Sequence, residues 1–318
     1  ETDPSHTVTA RLQVTANGAP GGTIATPMTA SVGVTPGTAE AGDISLSTTS
    51  VGFPAGSANA ATVPITLVPV NDRLLEGSET LTLGLTPTST IGSASGSHVL
   101  TLTDDESGAI SFASSGSSTS ESVGTHTGAQ PRLTISGTGT GLLATEAIVR
   151  VAITDAPGSA TTPGDYTRST ATVSFAEGVA SPINSAPVPV AIVNDVRIEG
   201  EESFTLGFGA IEGAGVLAAS GTHAVVISDN DSAQVGFAPG NDTVGEGAGS
   251  FSKPVVLTLT ADGVGTPSLQ AALVVPVGFT EGTATEPEDF TLATAGVTFA
   301  AGSQTGAAQN ATANLIND

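Results

Sequence analysis

Asp72, Asp195 and Asp318 stand at a constant interval of 123 residues, each behind an Asn, and the sequence around them repeats. The segment NDRLLEGSETLTLGL (71–85) returns as NDVRIEGEESFTLGF (194–208). GSHVLTLTDDESGAISFA (96–113) returns as GTHAVVISDNDSAQVGFA (221–238). A third series runs GDISLSTTSVGFPAG (42–56), GDYTRSTATVSFAEG (164–178) and EDFTLATAGVTFAAG (288–302). Chance does not hold a register this tight. The interval is too long for one solenoid turn and fits a whole domain. It divides the chain into three modules. Residues 1–106 form a module lacking its first strand, 107–231 a complete one, and 232–318 a module lacking its last two strands. Only a residue or two is expected between one module's last strand and the next module's first, which predicts a stiff rod. The unfinished ends allow two readings: a piece of a longer array, or edges completed by strand donation from another copy.

In the complete module, strands are expected at 108–114, 131–137, 146–154, 170–176, 187–193, 202–209 and 222–228. VRVAIT (149–154) and HAVVIS (223–228) alternate with the period of two that a half-buried strand needs. No segment keeps a helical period. Seven short strands per module predict an all-β fold of tandem immunoglobulin-like seven-stranded β-sandwiches. With no Trp and one Tyr, the cores must be built from Val, Ile, Leu and the ten Phe. The absence of Cys excludes disulfides and thiolate metal sites.

Thirty Asp and Glu oppose seven Lys and Arg, a net charge of -23. Such a field repels phosphate, so nucleic acid is not an expected partner. No apolar run approaches the ~20 residues of a membrane span, so no membrane insertion is expected. A strongly negative field attracts cations, and here the acids keep fixed places. The first module has Glu1, Asp43, Asp72, Glu76, Glu79, Asp104, Asp105 and Glu106. The second has Glu121, Asp165, Asp195, Glu199, Glu202, Asp229 and Asp231; the third keeps Glu246, Asp289 and Asp318. These positions are strand ends, and alternate loops gather at one end of a sandwich. Five or more carboxylates gathered there repel one another unless a cation sits among them. Ca²⁺ suits such a place, taking about six to eight hard oxygen ligands from flexible loops. Zn²⁺ prefers nitrogen or sulfur, and His6, His98, His126 and His223 are scattered. His98 and His223 are repeat-equivalent and read as surface or strand-edge residues.

Enzyme signatures are missing from the sequence. GSASGS (92–97) and SSGSS (114–118) are loop-like and lead into no helix, and GTGTGLL (137–143) is a Gly-rich turn. Paired carboxylates can serve a glycosidase, but these recur in every module, which suits structure. No catalytic site is expected.

The pattern D-x-x-x-E-x-x-E-x-[FL]-x-L, followed by a strand ending in D-[DN]-[DE], resembles the Calx-beta module. The G-D-Y loop and the lone Glu after the first strand match as well. The resemblance implies a seven-stranded sandwich, and in some members several Ca²⁺ ions at one tip. It implies as ligands the acids of the first and second modules given above. Asn71, Asn194 and Asn317 stand where the richest binders carry an acid, and Asn230 interrupts the second module's final triplet. Fewer ions per tip are expected in consequence. The functional expectation is a calcium-stiffened structural segment of a secreted or cell-surface bacterial adhesin or extracellular filament. Its partners would be Ca²⁺ and neighbouring modules. The alternatives are a Ca²⁺-sensing binding module, or a non-catalytic region of a large extracellular enzyme.

Overall fold

The computed structural model describes residues 1–318, the side chain of Val216 excepted. Two 3-10 turns, Glu121–Val123 and Glu246–Ala248, are the only helical elements among the described residues; the rest of the regular structure is strand. No helix is long and apolar enough to cross a membrane.

The chain folds into tandem immunoglobulin-like β-sandwiches. In the second, the alternation of VRVAIT turns Val149, Val151 and Ile153 inward and Arg150 outward. Val149–Pro157 lies between Glu202–Glu212 and Thr172–Phe175, antiparallel to both. His223–Ser228 and then Gly116–Ser120 complete this five-stranded sheet. The opposite layer holds Ser107–Phe112 beside Pro131–Ser136, and Val188–Ile192 between Thr125–Ala129 and Tyr166–Arg168. Ile110, Leu133, Val151, Phe175, Leu206 and Val225 are fully buried between the layers. Tyr166 stacks on Phe204 and donates its hydroxyl to Asp155 Oδ2 at 3.1 Å.

The first sandwich repeats the main sheet as Ser97–Leu102, Glu79–Pro87, Met28–Pro36 and Ser50–Phe53. It is faced by His6–Arg11, Thr62–Pro69 and Ile44–Leu46, around Leu67, Leu81 and Phe53. In the third, Ser232–Phe237, Ser250–Thr260, Ala308–Leu315 and Phe290–Leu292 face the pair Leu273–Pro276 and Gly296–Phe299. Leu257 and Phe299 anchor that smaller core.

The structure departs from the sequence reading at four places. SSGSS (114–118) is not simply a loop: Gly116–Ser120 is a strand running parallel to His223–Ser228. Its polar side chains hide it from any apolar pattern, because backbone pairing and side-chain hydrogen bonds hold it. That strand also buries His223, which is not a surface residue. His223 Nδ1 donates to the Ser114 carbonyl at 2.9 Å, and Ser117 Oγ lies 2.7 Å from Nε2 of both His223 and His126. His98, its repeat equivalent on the edge strand Ser97–Leu102, has no such cover and is exposed. The connectors between sandwiches, residues 103–106 and 229–231, are longer than the residue or two expected.

The fourth departure is that neighbouring sandwiches interlock. Leu74–Leu75 of the first pairs parallel with Ala144–Thr145 of the second, and Leu75 is 1% exposed inside the second core. Arg197–Ile198 repeats the joint with Ser268–Leu269, where Ile198 packs on the third core. Gly215, at φ +87°, makes room for the first joint: a Cβ there would meet Leu75 Cδ1 at 2.5 Å. At each joint an apolar residue of one sandwich thus packs on the core of the next.

Candidate metal centre

Strand ends deliver the acids, and local turns orient them. Asp72 Oδ1 accepts from Leu74 N at 2.8 Å, and Asp195 Oδ1 from Arg197 N at 2.7 Å. Asp104 Oδ1 takes Glu106 N at 2.8 Å, while its Oδ2 takes the N–H groups of Glu76 and Gly77, both at 2.9 Å. Asp229 does the same with Asp231 N and Glu199 N, each at 2.6 Å. Asp accepting from a backbone two residues on is ordinary turn chemistry. Here it also ties the final loop of each sandwich to its E-x-x-E loop. Asp104 and Asp229 therefore organise the tip as much as they charge it.

Three groups result. Glu1, Asp105 and Glu106 converge, as do Asp43, Glu76 and Glu79, and again Asp165, Glu199 and Glu202. Within each group one carboxylate oxygen per residue lies within 4.8 Å of the others. The first two groups share a tip: Glu76 faces Asp43, Asp72 and Glu1, and Glu106 faces Asp104, Asp105 and Glu1. At the second tip Asp229, Asp195, Glu199 and Asp231 add to the upward push on the Glu121 carboxyl, so these candidates act on one another. The third sandwich gathers none among the described residues. Glu246 and Asp318 are exposed, and Asp289 Oδ2 accepts from Thr285 N at 2.8 Å.

The electrostatics are those of acids crowded without counter-charge. Burial, with Asp43, Asp72, Glu146 and Glu1 adding, pushes the Glu76 carboxyl up to about 9. Burial and the neighbouring aspartates push Glu106 up to about 8, and burial with the facing acids does the same to Glu121. Burial and Glu202 push Glu199 up to about 7. Among the described residues the one side-chain cation paired with these acids is Arg197, whose half-exposed Nε lies 3.7 Å from Glu199 Oε1.

Whether these groups fit a cation is decided by their unsatisfied atoms. Glu106 is 1% exposed, yet neither of its oxygens has a hydrogen-bond partner. Oε2 of Glu1, Glu121 and Glu202 and Oδ2 of Asp231 are likewise buried and unpartnered. A buried carboxylate without a donor is costly unless a proton or a cation answers it. At the two tips these unsatisfied atoms are hard oxygens, as Ca²⁺ requires. The donor set fits Ca²⁺.

The tips are not built by one sandwich alone, and here the sequence reading missed residues. Asp105 is held by Asn71 Nδ2 at 2.9 Å and by Thr138 Oγ1 of the next sandwich at 2.8 Å. Asn71, expected to stand in for an acidic ligand, thus spends its amide orienting one. Gly137 packs on Glu106 so closely that a Cβ there would overlap the carboxylate. At the second tip Asp262 N donates to Asp231 Oδ1 at 2.8 Å, and Gln270 Nε2 reaches Glu199 Oε1 at 2.8 Å. A self-comparison carried into the loops after each joint, where Glu146 and Gln270 stand 124 residues apart, would have flagged that pair.

The Calx-beta domain matches residues 103–231 and again 228–309, together more than half of the chain. Similar solved structures include the apo-form Calx CBD1 domain, 18% identical over 39% of this chain and 97% of that one, with a TM-score of 0.31. CBD12 from CALX1.2 is 17% identical over 66% and 75%, with a TM-score of 0.31. The titin I-band fragment I67–I69 is 10% identical over 99% and 83%, with a TM-score of 0.29. No curated protein matches the chain. With two matches in tandem over its second and third sandwiches, the chain belongs to the Calx-beta domain family.

Proposed function

We propose that the tips of the first and second sandwiches bind Ca²⁺, and that the chain is a calcium-stiffened structural segment of a secreted or cell-surface adhesin or extracellular filament. The observation that carries the Ca²⁺ reading is Glu106, a carboxylate 1% exposed, with both oxygens unpartnered, among Asp104, Asp105 and Glu1. Membership of a family whose domains are a Ca²⁺-binding module type supports it. We take residues 1–106, 107–231 and 232–318 as the working modules. The ligands we assign are Glu1, Asp43, Asp72, Glu76, Glu79, Asp104, Asp105 and Glu106 at the first tip. Glu121, Asp165, Asp195, Glu199, Glu202, Asp229 and Asp231 follow at the second. At the third we assign Glu246, Asp289 and Asp318. The structural role rests on the interlocked joints at Leu75 and Ile198, which suit a spacer under load. The acids recur in each repeat and serve a ligand, not a reaction, so we assign no catalysis.

An ion that binds only the folded state stabilises it by mass action, about 2.7 kcal/mol at a hundredfold excess over Kd. Calorimetric melting in EDTA and in millimolar Ca²⁺ tests the reading. A marked rise in Tm with Ca²⁺, absent with Mg²⁺, is expected; identical curves would refute it. Small-angle scattering separates spacer from sensor. A rod whose length is the same before and after micromolar Ca²⁺ fits the spacer, and a change of shape fits a Ca²⁺-sensing module.

A further inference from the structure

The three sandwiches fill one repeat-equivalent place differently. In the second, Tyr166 is fully buried and stacks on Phe204, with ring centroids 3.8 Å apart. Asp155 accepts the Tyr166 hydroxyl at 3.1 Å and Arg168 Nη2 at 2.7 Å. In the third, Phe290 stands where Tyr166 does and meets Phe279 edge-on at 5.0 Å. Both sandwiches seat an aromatic ring here and pack a second ring on it.

The first sandwich has no ring to offer. Its repeat equivalents of Tyr166, Arg168 and Phe204 are Ile44, Leu46 and Leu81. Strand register supplies the fourth change: Asp155 pairs with Leu206, and Val34 with Leu83, the equivalent of Leu206. Two rings, a carboxylate and a guanidinium thus give way to four aliphatic side chains. These leave the space unfilled. A cavity of about 230 Å³ lies among Val34, Pro36, Ala39, Ile44, Leu46 and Leu81. Leu81 and Ala39 are buried, while Val34, Ile44 and Leu46 are half-buried, so the cavity reaches the surface. A hydrocarbon lining gives water few partners, and roughly 150 Å³ of such space accepts benzene. A flat ring buries a large apolar area at little cost in freedom. Glu40, also in the lining, is exposed, and the chain carries a net charge of -23. Both disfavour an anion and favour an ammonium group.

We infer that this cavity of the first sandwich binds a small molecule carrying one aromatic ring and a cationic group. The ring takes the place that Tyr166 and Phe290 fill in the other two sandwiches, and the cation is drawn to Glu40. The cavity lining holds none of the acids assigned to Ca²⁺, so this site stands apart from the metal reading.

Methyl NMR of the full chain, with Ile, Leu and Val labelled and 2-phenylethylamine as the probe, tests this. Saturable shifts from the ring current are expected at Ile44, Leu46 and Leu81, and none at Ile192, which pairs with Tyr166 in the second sandwich. Phenylacetate, an anion, and 2-cyclohexylethylamine, which lacks the ring, should each bind on the order of tenfold more weakly. Glu40→Gln should bring the amine down to the affinity of neutral benzyl alcohol. Leu81→Phe and Ile44→Tyr each fill the cavity with a ring of the chain's own and should abolish the shifts at the remaining methyls. Ile44 is half-buried, so Ile44→Tyr carries the test even where Leu81→Phe does not fold. Shifts that never saturate, that persist in Ile44→Tyr, or that 2-cyclohexylethylamine matches at equal concentration overturn the inference.

Discussion

In the first sandwich the final loop reads Asp104-Asp105-Glu106, and Glu146 of the next sandwich donates its backbone N–H to Leu75; in the second it reads Asp229-Asn230-Asp231, and the neighbour's Gln270 reaches Glu199. The turns are the same at both. Asp104 and Asp229 each accept backbone N–H groups from their own loop and from the E-x-x-E loop. What changes is the charge placed on that frame. The first tip crowds more carboxylates and meets them with fewer donors. The backbone scaffold and the charge it carries are thus set by different residues, and one can vary without the other. Two tips on one chain can differ in charge although their loops align in sequence.

The comparison can be broken most forcefully at the apolar joint beneath each tip. Leu75→Ala removes a fully buried side chain from the second core and should cost about 3 kcal/mol. Ile198 is only partly buried, so Ile198→Ala should cost about half as much. Denaturant melts of the two variants in EDTA check the order. Equal costs would mean that the joints are equally tight and that charge alone distinguishes them.

A second difference appears in pH. Without ions, Glu76 is pushed up to about 9, Glu106 and Glu121 to about 8, and Glu199 to about 7, all above the ordinary value of 4.5. The folded state then binds more protons than the unfolded one between that ordinary value and the raised values. Stability in EDTA should therefore be greatest near pH 4.5 and fall as pH rises towards 9. The first sandwich should lose stability over a wider range, because Glu76 titrates last. Ca²⁺ needs deprotonated ligands, so its stabilising effect should grow over the same range. Melting curves from pH 5 to pH 9, with and without Ca²⁺, measure both trends. A flat profile in EDTA would contradict the crowding.

The smallest effect concerns how each neighbour holds the tip. Thr138 donates its hydroxyl to Asp105 Oδ2, so Thr138→Val should cost about 1 kcal/mol. At the matching place in the next repeat, Asp262 serves Asp231 through its backbone N–H. Asp262→Ala keeps that bond and removes a like charge facing Asp231, so it should leave stability unchanged or slightly raised. Paired urea melts of the two variants in EDTA would show the difference.

Much of the fold was legible because strand alternation is local. VRVAIT and HAVVIS bury every second residue as their pattern predicts. Gly116–Ser120 was not legible: its polar side chains carry no alternation, and its parallel partner lies more than a hundred residues away. The fate of the two repeat-equivalent histidines followed from that strand, which covers His223 and has no counterpart over His98.

By itself the sequence determined the repeat, the sandwich class and the placing of acids at strand ends, because each depends on short-range spacing. Only the tertiary structure decided which acids meet, that Leu75 and Ile198 are lent across joints, and that Gln270 reaches a neighbour's tip. Gln270 touches Glu199 across a separation of 71 residues. No local pattern encodes such a contact, because it exists only once two sandwiches have folded and their loops have closed on each other.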